Sequence, residues 1–265
     1  MIGLILGTSE GKEILRKLNR FTDDLFVTTA TSYGEELLKD YKYKYINSSP
    51  LTKAELEKKL TTYRVTTLID ASHPYATEIT ENTKKICKER NIHYIRYERP
   101  SVIKEYLKYK NVELIENLED LKEILIKYGI NGTILNTTGS KNVDKFINLK
   151  IPNRIVHRVL PTVESIEKCL NSGVKVEDII AIKGPVGLEL NTAFIKECRA
   201  VALILKDSGI AGGTEEKIIA AINEGILVFV VKRKDSSNSD TKFSDIDKLI
   251  EYIYEIDKIH FEREK

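Results

Sequence analysis

The chain has 265 residues, 42% hydrophobic and 31% charged, which suits one large α/β domain or two small ones and allows a substantial core. Its 42 basic and 40 acidic residues leave a formal charge of +2, without the basic excess of a dedicated nucleic-acid binder, so no nucleic-acid partner is expected. Cys87, Cys169 and Cys198 have neither zinc-knuckle nor redox spacing and read as reduced thiols of a cytoplasmic protein.

In chain order, short β-branched runs alternate with stretches of helical period, the pattern of βα units and a mostly parallel sheet. The apolar start reads as a strand over 2–6. It is too short to cross a membrane and lacks the basic start of a signal peptide, and no later segment is long enough, so no membrane partner is expected. A helix after Ser9 sets Ile14, Leu15, Leu18 and Phe21 on one face. Strands over 25–30 and 43–46 follow, then a helix carrying Leu56 and Leu60, a strand over 66–71, a helix over 75–90 and a strand over 92–97. Regular structure stops at Arg99-Pro100, because proline disfavours a helical conformation in the residue before it. A second series begins with a strand over 112–115 and a helix marked by Leu118, Leu121, Ile124 and Leu125. Strands over 133–138, 154–160, 179–183, 201–206 and 226–231 continue it, an exposed polar loop spans 234–242, and a helix over 245–264 closes the chain. The fold class is α/β: two Rossmann-like lobes, 1–100 and 101–265, with mostly parallel sheets and a cleft between them.

In open parallel sheets ligands sit beyond the carboxyl ends of the strands, so the informative residues are those that follow strands. Gly7-Thr8-Ser9-Glu10-Gly11 joins the first strand to the first helix. Its glycines permit close backbone approach and the helix start offers N–H groups to an anion. The spacing is neither the dinucleotide fingerprint nor a P-loop, and the competing reading is a helix start capped by Ser9. Thr28-Thr29-Ala30-Thr31-Ser32 offers hydroxyls where an NAD-specific site usually has a carboxylate, so cofactor binding is atypical or uses the other lobe. Asp70-Ala71-Ser72-His73-Pro74-Tyr75-Ala76 sets a histidine just past a strand, able to donate or accept a hydrogen bond at neutral pH, although a lone histidine is more often structural. Arg96-Tyr97-Glu98-Arg99-Pro100 carries arginines whose fork matches a carboxylate, against an Arg–Glu ion pair at a hinge.

The second series repeats such junctions. Thr137-Thr138-Gly139-Ser140-Lys141 is rich in small donors, His157-Arg158 precedes a proline stop, and Lys183-Gly184-Pro185 follows a strand. Lys206-Asp207-Ser208-Gly209-Ile210-Ala211-Gly212-Gly213-Thr214 is the most glycine-dense loop and opens a helix carrying Lys217. It reads as a phosphate or carboxylate nest rather than a flexible connector.

In this order these segments, with Ala30-Thr31-Ser32-Tyr33-Gly34, Arg158-Val159-Leu160-Pro161 and Ala220-Ala221, resemble the precorrin-6A reductase family of cobalamin biosynthesis over nearly the whole chain. Departures fall at Leu6, Val186 and Lys232-Arg233-Lys234. The resemblance implies hydride transfer from NADPH or NADH to a ring-contracted tetrapyrrole, precorrin-6A or its cobalt form, giving precorrin-6B, with no metal ligand required. It implies cofactor binding by Gly7, Thr8, Ser9, Glu10, Thr138, Gly139, Ser140, Lys183, Gly184, Ser208, Gly209, Gly212, Gly213 and Lys217. Ser72, His73, Tyr75, Arg96, Arg99 and Arg158 are the candidates for the carboxylate-rich substrate, and His73, Lys206 and Asp207 for catalysis. A monomer or weak homodimer is expected. The alternatives are a nicotinamide-dependent reductase of a smaller imine and a non-catalytic dinucleotide sensor.

Overall fold

The computed structural model describes residues 1–233 and 241–263. The chain divides into two compact units, one of Met1–Arg99 with the segment after Arg233, the other of Pro100–Arg233.

The first unit is built on β1 (Ile2–Leu6), α1 (Glu10–Leu18), β2 (Leu25–Thr28), α2 (Ser32–Glu36), β3 (Tyr45–Asn47), α3 (Lys53–Thr62), β4 (Thr67–Ala71), α4 (Thr77–Arg90) and β5 (His93–Tyr97). Strands β1, β2 and β4 are buried along their whole length, as expected where helices cover both faces of a parallel sheet. Helix α1 buries Ile14, Leu15 and Leu18 against this sheet. Helix α3 starts with a reciprocal cap between Thr52 and Glu55.

The second unit comprises β6 (Val112–Ile115), α5 (Leu121–Lys127), β7 (Thr133–Asn136), α6 (Val143–Asn148), β8 (Ile155–Val159), α7 (Val163–Asn171), β9 (Ile179–Ala181), α8 (Leu188–Glu197), β10 (Ala200–Lys206), α9 (Thr214–Asn223) and β11 (Leu227–Val231). The chain then returns to the first unit as β12 (Lys242–Phe243) and α10 (Ile246–Arg263).

Each sheet has six strands, ordered β12-β5-β4-β1-β2-β3 and β6-β11-β10-β7-β8-β9, and every pairing is parallel. The strand order reverses between β1 and β4 in one sheet and between β7 and β10 in the other, the points where open α/β sheets bind ligands.

The expected second lobe, 101–265, needs correcting. It ends at Arg233, because β12 pairs with Arg96 and Tyr97 of β5 and Leu249 and Ile253 of α10 are buried with Ile14, Leu15 and Leu18. Most of the polar segment 234–242 lies outside the described residues. Among the described residues no helix is long and apolar enough to cross a membrane, and no cluster of His, Cys, Asp or Glu could hold a metal ion.

Candidate functional site

At the reversal points, side-chain amides and carboxylates set the backbone of the loops. Asp70 in β4 accepts from the N–H of Ser72 at 3.0 Å, Asn136 ending β7 from that of Thr138 at 2.9 Å, and Asp207 after β10 from that of Gly209 at 3.2 Å. In each case the acceptor lies two residues before the donor, an Asx turn that bends the chain away as the strand ends. This turn is why the strand expected over 133–138 stops at Asn136.

In the first unit the β1 and β4 loops touch. A Cβ on Gly7 would lie 3.0 Å from the His73 nitrogen and 3.3 Å from the Ser72 Cα, so only glycine fits here without a shift. The Tyr75 N–H donates to His73 Nδ1 at 3.3 Å, which places the proton of the neutral ring on Nε2 and makes that atom a donor. The two rings lie 5.8 Å apart. Thr8 Oγ1 is buried with no protein partner. Ser9 makes no capping bond, contrary to the capped-start reading, and its hydroxyl donates to Glu10.

Several expected ligand groups are occupied by the protein itself. Arg96 is 1% exposed; its Nη1 meets Asp70 Oδ1 at 2.8 Å and donates to Ser72 Oγ at 3.0 Å. Thr80 and Tyr94 hydroxyls complete the Asp70 carboxylate, each at 2.9 Å. Arg96 and Ser72 therefore belong to a buried network that supports the His73 loop, and the expected contact of Arg96 with substrate is corrected accordingly. Arg99 pairs with Glu10, so a group expected at substrate and one expected at cofactor neutralise each other.

In the second unit, the loops after β7 and β10 lie together. Thr137 donates to the Ile204 carbonyl through both N–H and hydroxyl. Thr138 Oγ1 accepts from Asn142, and Ser140 donates to Ser165. Gly139, Gly209 and Gly213 have φ of +86, +69 and +65°, left-handed values that favour glycine. Gly213 also backs onto Pro185, where a Cβ would stand 2.9 Å from the proline Cβ, joining the exposed Lys183-Gly184 turn to the glycine-dense loop. Burial, with Lys141 and Lys145 nearby, lowers the Lys206 ammonium to about 8. Asp207 is 2% exposed and accepts from Ser101 and pairs with Arg233. It holds the loop rather than facing a ligand, so its expected catalytic place becomes a positioning one. Ser208 N–H donates to Thr214 Oγ1 at 2.9 Å, and Lys217 donates to the Gly212 carbonyl at 3.1 Å.

Sequence reasoning missed Asn136, Asn191, Glu216 and Arg233. The signal for Asn136 was present: Asp70-x-Ser72, Asn136-x-Thr138 and Asp207-x-Gly209 share one spacing at strand ends. Asn136 is held in turn by His157 Nδ1 at 2.9 Å, and burial takes that imidazole down to about 4, keeping it neutral.

A family described as precorrin-6x reductase CbiJ/CobK matches residues 1–254. The cobalt-precorrin-6A reductase of Methanocaldococcus jannaschii is 32% identical over 252 residues, 94% of this chain and 96% of that protein. That of Salmonella typhimurium is 31% identical over 227 residues, 86% of this chain and 85% of its own length. A solved structure of CobK precorrin-6A reductase superposes with a TM-score of 0.74 at 16% identity, covering 96% of both chains, a likeness of fold.

Proposed function

The chain belongs to the precorrin-6x reductase family CbiJ/CobK, and on that premise we propose that it reduces the cobalt form of precorrin-6A with NADPH or NADH. The observation that carries this reading is the family match over residues 1–254, which spans both units. The cobalt form is favoured because the relatives above 30% identity just described are both cobalt-precorrin-6A reductases.

The residues at the reversal points suit a phosphate-bearing dinucleotide. Gly7 and Gly213 leave no room for a Cβ, and the buried Thr8 hydroxyl oxygen calls for a hydrogen-bond partner that a ligand can supply. The nicotinamide, when bound, supplies the hydride. The N–H groups of Ser208, Gly209 and Gly213 donate to Thr214 Oγ1, Asp207 Oδ1 and the Ile210 carbonyl, so this loop is braced from within and lends the site its shape. Lys206, with its ammonium near 8, answers an approaching anion by taking up a proton. The Nε2–H of His73 orients substrate, and Arg158 holds an anionic group. Arg96 and Asp207 act through the loops they brace.

The test is anaerobic mixing with NADPH or NADH and with cobalt-bearing or metal-free precorrin-6A, following reduced-cofactor and tetrapyrrole spectra. Cofactor oxidation with the cobalt form is expected. Binding without oxidation would identify a sensor, and oxidation only by small imines would identify the other rival.

A further inference from the structure

Two cations of the second unit, one buried and one half-buried, stand without a counter-ion among the described residues. Lys217, in the first turn of α9, is 7% exposed, and its ammonium reaches one protein acceptor, the Gly212 carbonyl. Arg158 in β8 donates through Nη1 to Asn191 Oδ1 at 2.7 Å and lies over the Phe194 ring, 6.0 Å from its centroid. Neither makes an ion pair with the described residues. Burial, and then the charge of Arg158, bring Lys217 down to about 8, while burial brings Arg158 to about 10. Glu216 is close enough to favour the Lys217 charge, yet its own Oε2 is buried with no partner. A buried charge is tolerated when something pairs with it, and here the protein does not supply the pair.

The surrounding loops hold this arrangement. Asn191 is 3% exposed; its amide nitrogen donates to the carbonyls of Val186 and Gly187 at 3.0 and 2.9 Å while its oxygen takes Arg158. Pro185, just before, packs on Gly213, four residues ahead of Lys217. The end of β8, the turn after β9 and the start of α9 thus meet around the two cations.

We propose that Arg158 and Lys217 are two arms of one anion subsite that takes a single phosphoryl or carboxylate group, with Asn191 positioning the guanidinium. The orphaned Glu216 oxygen calls for a donor, so the anionic group has a hydroxyl or N–H beside it. The subsite stands on this geometry; which molecule brings the anion, cofactor or tetrapyrrole, rests on the reductase reading above.

The experiment is thermal unfolding of the intact chain with inorganic pyrophosphate or with tricarballylate, on wild type, Lys217→Met, Arg158→Met and Asn191→Asp. Without anion, Lys217→Met should melt above wild type, because an uncompensated buried charge is gone. Anion at ten times its dissociation constant should raise the wild-type midpoint by about 3 °C, and either methionine should remove most of that rise. Asn191→Asp should abolish it, since its carboxylate takes the anion's place beside Arg158; an asparagine serving only the turn would leave it intact. A response to pyrophosphate alone assigns a phosphoryl group, and to tricarballylate alone a carboxylate. The proposal is overturned if neither anion shifts wild type, or if Lys217→Met melts lower and keeps the full rise. Failure of the reductase reading is distinct: no cofactor oxidation, with the anion response intact.

Discussion

Replacing Asp70 by asparagine should destabilise the first unit through charge rather than shape. The carboxylate receives Arg96 at 2.8 Å, the Ser72 N–H at 3.0 Å and the Thr80 and Tyr94 hydroxyls at 2.9 Å each. An asparagine can keep its oxygen toward Arg96 and Ser72 and turn its amide toward the two hydroxyls, which accept as well as donate. Most hydrogen bonds therefore survive, and what is lost is the counter-ion of a guanidinium that is 1% exposed. Breaking a buried pair from one side costs about 3–5 kcal/mol. Glu98, 3.9 Å from Arg96 Nε, remains as a partial counter-ion and favours the lower end. A loss of about 3 kcal/mol corresponds to roughly 10 °C in midpoint. Urea unfolding followed by far-UV circular dichroism measures it, and Arg96→Met in the Asp70→Asn background should recover about 2 kcal/mol or more as coupling. Asp70→Asn within about 0.5 kcal/mol of wild type, the range of an ordinary surface change, would refute the reasoning. Arg96→Met, assayed below its own midpoint, should lower kcat/KM through the displaced His73 loop while leaving the salt dependence of the substrate KM as in wild type.

Acid should weaken the second unit through His157. Its imidazole is held at about 4 against 6.5, so the unfolded chain binds the proton more readily, and stability present above pH 6.5 falls as pH drops toward 4. The slope is about 1.4 kcal/mol per pH unit and the total about 3 kcal/mol; His157→Gln should flatten that part of the stability–pH curve, and an unchanged slope counts against it. Gly7→Ala must push the His73 backbone, 3.0 Å from the added carbon, and should cut turnover about 10-fold with the circular dichroism spectrum retained, an effect of misplacement; full activity would mean the loops yield freely. His73→Ala should lower kcat/KM by about 10- to 1000-fold, or about 1.4–4 kcal/mol, with an unchanged melting temperature; a lower midpoint with only proportionate activity loss would make the histidine structural.

The alternation of β-branched runs and helical period was enough to read both sheets, because a strand covered on two faces is buried throughout, as Ile2–Leu6 and Thr67–Ala71 are in the structure, with Asp70 the charged exception that Arg96 pairs. Two residues carry no periodicity, so Lys242–Phe243 could not be read as a strand, and nothing in the order of the chain tells that its last helix packs against α1. Of the loops singled out in the sequence, those after β1, β4, β7 and β10 lie where the sheets reverse, and those at the ends of β2, β5, β8 and β9 do not. What the sequence could not rank was ligand-facing against self-facing charge. Arg96 and Arg158 look alike in one dimension; one has Asp70 waiting for it and the other has only Asn191. Asp207 likewise reads as a catalytic candidate until Ser101 and Arg233 are seen around it.

The return of the chain to its first sheet has a consequence for the order in which the protein matures during synthesis. Residues 100–233 form a unit whose sheet is complete within that stretch, so it can close as soon as it has left the ribosome. The earlier-made unit cannot. Its sheet lacks β12, and its core lacks Leu249 and Ile253, until the following residues have been translated. Domains are usually expected to fold in the order in which they are made; here the part begun first is finished last, and until then the apolar surface over Ile14, Leu15 and Leu18 stays open to chaperones. A nascent chain arrested after Arg233 should therefore yield a protease-resistant second unit beside a first unit that is still cleaved.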